Sequence, residues 1–167
     1  MSDVTLRPAR TADVQTVRRL VGLFTADGRL LAKAPVTLYE DVQEFLVAEI
    51  DGRVVGCGAL HVMWEDLGEI RTLAVDTEFQ HRGVGGSLLD ALVDRAYALG
   101  LARLFCLTFE TEFFAAHGFH EIEGSPVDHA VFEQLLQSYD EGVAEFLDLE
   151  RVKPNTLGNR RMLRVLS

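Results

Sequence analysis

Apolar residues recur with helical spacing at Val14, Val17, Leu20, Val21 and Phe24, and Thr11 ahead of Ala12-Asp13-Val14 reads as an N-cap. The spacing predicts a helix over Ala12 to Thr25, broken by Asp27-Gly28; Arg29 to Pro35 then reads as a loop and Val36 to Glu44 as a second short helix. Two apolar runs, Phe45–Ile50 and Arg53–Val62, predict strands joined by an Asp51-Gly52 hairpin turn. Gly56 and Gly58 in the second run mark a bulge or a close backbone approach. Further strands are predicted over Glu69–Val75 and Arg103–Thr108, with a helix from Leu88 to Leu99 between them. An aromatic-rich helix around Phe113 to His117 closes at Gly118, and Phe119 begins the next strand. Val127 to Tyr139 is amphipathic, as is the shorter Gly142 to Leu149; Lys153-Pro154-Asn155 starts a turn, and Arg161 to Leu166 reads as a closing edge strand.

No repeats or linkers interrupt this order, and 167 residues form one domain, residues 1–167, large enough for a proper core. No apolar run reaches the ~18–20 residues of a membrane span. The N-terminus lacks a secretory pattern, so a cytoplasmic location without membrane association is expected. A formal charge of −10 argues against a nucleic-acid partner. Cys57 and Cys106 lie inside apolar strand patterns and read as buried, reduced thiols. The histidines are scattered without metal-ligand spacing, so no metal is expected.

The chemistry concentrates in one segment. The apolar strand ending Leu73-Ala74-Val75-Asp76 runs into Gln80-His81-Arg82-Gly83-Val84-Gly85-Gly86-Ser87, which opens a helix. Backbone N–H groups and the helix dipole at such a start favour an anion, and glycines at 83, 85 and 86 keep Cβ atoms out of its way. A pyrophosphate fits. The spacing matches neither a dinucleotide-binding nor a kinase-type phosphate loop.

Gln/Arg-x-x-Gly-x-Gly/Ala after a strand resembles the coenzyme A loop of the GNAT N-acetyltransferase superfamily. The aromatic helix ending in Gly118-Phe119 and the order of elements are similar to that superfamily as well. The resemblance implies an α/β fold, a mixed central sheet flanked by helices, with acetyl-CoA as co-substrate. It assigns coenzyme binding to Leu73, Ala74, Val75, Gln80, His81, Arg82, Gly83, Val84, Gly85, Gly86 and Ser87, with Phe114 packing as core or against the cofactor.

Acetyl transfer needs a neutral amine, a polarised thioester carbonyl and a path for the thiolate. Glu69 is the expected base. On a regular strand it shares a face with Arg71 and Leu73. The backbone N–H of the Leu73 region is the expected carbonyl donor, as the superfamily resemblance implies. Many superfamily members place a tyrosine where this chain has Phe114, which has no proton to give.

Finer features resemble the N-acetylglutamate synthases, in the short form without an amino-acid-kinase domain. They are Lys33 and Tyr39, Gly56-Cys57-Gly58-Ala59-Leu60, Gly68 to Val75, and Phe113-Phe114-x-x-His-Gly-Phe, within a similarity from about Leu6 to Leu166. That resemblance implies acetylation of L-glutamate, the first step of arginine biosynthesis, with Lys33, Arg71 and Arg161 as carboxylate-binding cations. A homodimer is compatible with it. Leu157-Gly158-Asn159-Arg160-Arg161 departs from the Asn-Gly-Arg-Asn run of the long form, which leaves L-glutamine open as a substrate. Two alternatives stay open: acetylation of another amine (a protein N-terminus, a polyamine or a drug), and a non-catalytic acetyl-CoA or amino-acid sensor.

Overall fold

The computed structural model describes residues 3–25, 30, 33–149 and 159–167. A seven-stranded sheet has the order β1-β2-β3-β4-β5-β7-β6. Its strands are β1 (Thr5–Pro8), β2 (Phe45–Ile50), β3 (Arg53–Trp64), β4 (Leu67–Val75), β5 (Arg103–Thr108), β6 (His120–Ile122) and β7 (Arg160–Val165). The helices are α1 (Val14–Thr25), α2 (Pro35–Glu40), α3 (Val84–Leu99), α4 (Thr111–Ala116), α5 (His129–Leu135) and α6 (Glu141–Phe146). The sheet is mixed: β4 and β5 run parallel, whereas β1 with β2, β2 with β3, β5 with β7 and β6 with β7 are antiparallel. The chain forms two compact units, Met1–His61 with Ile70–Leu99 and Val62–Glu69 with Gly100–Ser167.

In the first unit the predicted stripe of α1 (Val14, Val17, Leu20, Val21 and Phe24) is buried against Phe45, Val47, Cys57, Ala59 and Ala74. Each such side chain contributes about 1.5–3 kcal/mol by leaving water. Thr11 is not the N-cap. It lies inside a 3-10 turn, Thr11–Asp13, whose Asp13 carboxylate accepts from the Arg10 N–H at 2.7 Å. Asp13 is fixed in turn by the Arg7 guanidinium at 2.7 and 2.9 Å, and Arg7 also donates to Glu49 at 2.6 Å. The hydrogen bond from Arg7 holds the Asp13 carboxyl below the usual carboxylate range. That clamp fastens β1, a strand without an apolar pattern of its own, beside β2.

Asp51 and Gly52 both take positive φ, 52° and 75°, as a two-residue hairpin turn between Ile50 and Arg53 requires. The register slips between Ala48 and Glu49, whose partners are Gly56 and Val54, so a bulge leaves Val55 unmatched beside Gly56. Gly56 and Gly58 also carry the close approach. A Cβ on Gly56 would stand 3.0 Å from Leu88 and 3.1 Å from Val84, and one on Gly58 2.9 Å from Leu73 and 3.0 Å from Leu92. The missing side chains let α3 settle onto the strand. Gly58→Val should therefore destabilise the fold by about 2–3 kcal/mol through overpacking. A urea midpoint equal to the parent's would show that α3 does not rest there.

The second unit packs Leu67, Phe105, Phe146, Leu147 and Leu163 around Met63, with Phe105 and Phe146 edge to face at 4.9 Å. Asp128 caps α5 by accepting from the Val131 N–H at 2.9 Å, and Asp140 caps α6 by accepting from Val143 at 2.9 Å. The expected edge strand at Arg161 to Leu166 is instead an interior one. All six residues of β5, Arg103 to Thr108, find partners in β7, whereas three-residue β6 pairs only with the outer side of β7 and forms the edge. Matching strand lengths decide the order. The expected breaks at Asp27-Gly28 and Lys153-Pro154-Asn155 lie outside the described residues.

Candidate active site

The glycine-rich segment is held from behind by Asp76, a residue with no distinguishing signal in the sequence. Its side chain is 5% exposed. Its own N–H donates to Val55 O at 2.8 Å, and its carboxylate accepts from the Glu78 N–H at 3.1 Å, from Arg19 at 3.2 Å and from Arg53 at 3.4 Å. Its carbonyl accepts from Phe79 at 2.8 Å, closing the 3-10 turn Thr77–Phe79. The Gln80 side chain returns to Val75 O at 3.3 Å. His81 and Gly83 take positive φ, 64° and 82°, and these two reversals aim the chain into α3.

Asp76→Asn should raise KM for acetyl-CoA several-fold with little change in kcat. The amide still accepts from Glu78 but loses the charge that gathers Arg19 and Arg53. An unchanged KM would show that the loop keeps its shape without the carboxylate.

α3 starts at Val84, four residues before the predicted Leu88. Burial sets this start: Val84 is as buried as Leu88 one turn later, and the Ser87 N–H donates to Gly83 O at 3.0 Å to close the first turn. Gly85 and Gly86 are thus helical, and the N–H groups of Val84, Gly85 and Gly86 belong to the turn that has no preceding carbonyls within the helix. With the dipole of a sixteen-residue helix behind them, they make an anion-binding end. The Val84 side chain points into the core, so only its backbone faces outward.

On β4 the strand geometry is irregular. Thr72, a buried β-branched residue, has φ 58°. Such a conformation costs about 1–3 kcal/mol and persists where the surroundings impose it. The Cys57 thiol donates to Thr72 O at 3.5 Å. Left-handed backbone at Thr72 interrupts regular strand geometry between Arg71 and Leu73, so alternation no longer fixes the face of Leu73 relative to Glu69 and Arg71. Leu73 lies against Gly58 beside Leu92, while Ala74 joins the cluster around α1. The peptide planes around Leu73 consequently leave regular ladder geometry.

Glu69 is 4% exposed and pairs in register with Phe105. Its charge, together with that of Asp148, supports the Arg161 guanidinium, whose pKa burial lowers. Arg161 stacks on Phe105 at 5.0 Å and Phe146 at 5.8 Å. It donates to Gly124 O at 2.8 Å, Glu145 O at 3.3 Å, Ser125 Oγ at 3.3 Å and Phe146 O. Most of its five N–H bonds are thus committed to the protein. This geometry fits a brace between β7 and the end of α6 better than a free substrate clamp.

Lys33 sits half-buried shortly before α2, and Arg71 is half-buried on β4. Phe114 is core: its ring meets Phe113 and Phe119 edge to face, each at 5.2 Å. Gly118 closes α4 with φ 87°, and Arg164 donates to His117 O at 3.0 Å. Burial pushes the Cys57 thiol up to about 12 and raises Cys106 well above its ordinary value, so both are protonated packing groups. Among the described residues no cluster of three His, Cys, Asp or Glu could hold a metal ion, and no helix is long and apolar enough to cross a membrane.

Residues 19–124 match the Acetyltransferase (GNAT) family. The chain is 59% identical over 164 residues to an amino-acid acetyltransferase of Mycobacterium tuberculosis, covering 96% of this chain and 94% of that one. A crystal structure from the same organism, in complex with CoA and NLQ, superposes with a TM-score of 0.95 at 58% identity, covering 98% of this chain and 99% of that one. N-acetylglutamate synthase from Neisseria gonorrhoeae, complexed with coenzyme A and N-acetyl-glutamate, gives a TM-score of 0.79 at 27% identity; all of this chain spans 36% of that one. With its mixed sheet, its glycine-rich loop opening α3 and these matches, the chain belongs to the GNAT acetyltransferase family.

Proposed function

We propose that this protein transfers the acetyl group of acetyl-CoA to the α-amine of L-glutamate, with L-glutamine as the competing substrate, as a cytoplasmic enzyme at the first step of arginine biosynthesis. The observation that carries this reading is the likeness, over nearly the whole chain, to an amino-acid acetyltransferase. In the proposed chemistry the coenzyme pyrophosphate rests on the backbone of Gly83 to Ser87, flanked by Gln80, His81 and Arg82. The pantetheine arm follows the backbone of Leu73, Ala74 and Val75. Glu69 takes a proton from the ammonium group, directly or through water. The amine lone pair attacks the thioester carbon, the Leu73 N–H stabilises the developing oxyanion, and the C–S bond breaks. The nitrogen of the tetrahedral intermediate gives up its second proton, which passes through water to the departing thiolate, since Phe114 carries no acidic hydrogen.

Lys33 and Arg71 are assigned to the substrate carboxylates. Arg161 is assigned a supporting part, through its brace and its charge beside Glu69. The test is acetyl-CoA-dependent thiol release with each of the twenty amino acids, spermidine and a short peptide. Turnover confined to glutamate or glutamine would establish the reading and rank the two. Turnover on spermidine or the peptide alone would replace it with another amine, and silence on all acceptors would favour a sensor.

A further inference from the structure

Beyond the helix start, the coenzyme loop carries an arrangement of cations that the pyrophosphate does not account for. The Arg53 guanidinium lies over the Phe79 ring at 5.4 Å, and that of Arg82 lies over the same ring at 5.1 Å. Arg53 comes from the start of β3 and is not part of the glycine-rich motif. It is fixed from a second side by Asp76 at 3.4 Å and Glu78 at 3.7 Å, while its side chain stays 53% exposed. Arg19 meets the same Asp76 oxygen at 3.2 Å and is 47% exposed. Arg19 and Arg53 thus meet the carboxylates of Asp76 and Glu78, and Arg82 shares the Phe79 ring with Arg53, in a chain whose formal charge is −10.

An aromatic ring that orders two arginines lowers the cost of fixing them on a ligand, because their rotamers are already restricted. Guanidinium forks suit phosphate oxygens. The pyrophosphate already has the backbone donors of the helix start. Coenzyme A carries one more phosphate, a monoester on its ribose with a charge of about −1.5 to −2 at neutral pH. The net negative chain repels that group, so local cations are needed where it lands.

We infer that Arg53 and Arg82, seated on Phe79, recognise the ribose phosphomonoester of coenzyme A and make the enzyme prefer acetyl-CoA over acetyl-dephospho-CoA. The inference rests on the coenzyme-binding reading above and extends it to the selection of the thioester.

The experiment measures calorimetric affinity for CoA and dephospho-CoA, and KM for their acetyl thioesters, in the parent, Arg53→Gln, Arg82→Gln and the double variant. Arg18→Gln, on the exposed side of α1, controls for bulk charge. The parent should favour the phosphorylated form by about tenfold, the worth of one or two charge-assisted hydrogen bonds. The double variant should bring that ratio close to one, weakening CoA about tenfold more than dephospho-CoA, while Arg18→Gln keeps the parent ratio. Equal affinity of the parent for both forms would overturn the inference. So would a double variant that weakens both forms equally, because a general weakening means a damaged loop, whereas removal of a phosphate partner falls mainly on CoA. The affinity ratio needs no amino acid, so the wrong acceptor leaves it intact; absence of any CoA binding would overturn both readings.

Discussion

Glu69→Gln is expected to lower turnover by about 10²–10³-fold at neutral pH, as removal of a general base does. Affinity for acetyl-CoA should hold, because other residues build the loop. The substitution is nearly isosteric and keeps the packing of a residue only 4% exposed, so thermal stability separates a chemical loss from a structural one. The size of the deficit should depend on pH. As pH rises toward the pKa of the acceptor amine, more of the amine arrives without its proton, the base is needed less, and variant and parent rates converge. A pH–rate profile of kcat/KM therefore decides the role. Full activity across pH would remove Glu69 as the base, and a deficit constant with pH would leave it an electrostatic part only.

Arg161→Ala should cost about 3–4 kcal/mol of stability, the largest structural effect expected of any cation in the chain. Its guanidinium donates to three backbone carbonyls and the Ser125 hydroxyl, and it covers two aromatic rings. Alanine leaves those carbonyls without their donor and empties the space between β7 and α6. Arg161→Lys should recover only part of the loss, since one ammonium group cannot reach carbonyls on both sides of a planar fork. Chemical denaturation of both variants, with KM for the amino acid measured where they fold, distinguishes a brace from a substrate clamp. A stability change under about 0.5 kcal/mol, the size of an ordinary surface substitution, with a large rise in amino-acid KM would return Arg161 to the carboxylate site, as its place in the family resemblance implies.

The glycine-rich turn into α3 and most elements are legible in the sequence because their signals are local. Period-3.6 burial in α1, the Asp51-Gly52 turn and the glycines from Gly83 onward each express the conformational limits of neighbouring residues. The start of α3 lies one turn earlier than the apolar spacing predicts, for the opposite reason. Two glycines are poor helix formers, and only the burial of Val84 on Gly56 draws them into the helix. β1 leaves no mark in the sequence because its four part-exposed residues show no apolar alternation, and the clamp from Arg7 to Asp13 and Glu49 holds them.

The order of most elements, the glycine-rich helix start and the carboxylate on the strand that feeds it can be read from residue order, while the class of fold rests on the family resemblance. Local backbone preference and helix electrostatics suffice for the elements and the helix start. Long-range packing settles the rest. It makes Thr72 interrupt regular strand geometry, gathers Arg19 and Arg53 on Asp76 behind the loop, and puts β7 inside the sheet with Arg161 spent on carbonyls. The last two depend on partners far apart in the chain, Arg53 with Asp76 and Arg161 with Gly124. Spacing within a segment carries no information about which distant group will arrive to satisfy a buried charge or an unpaired strand edge.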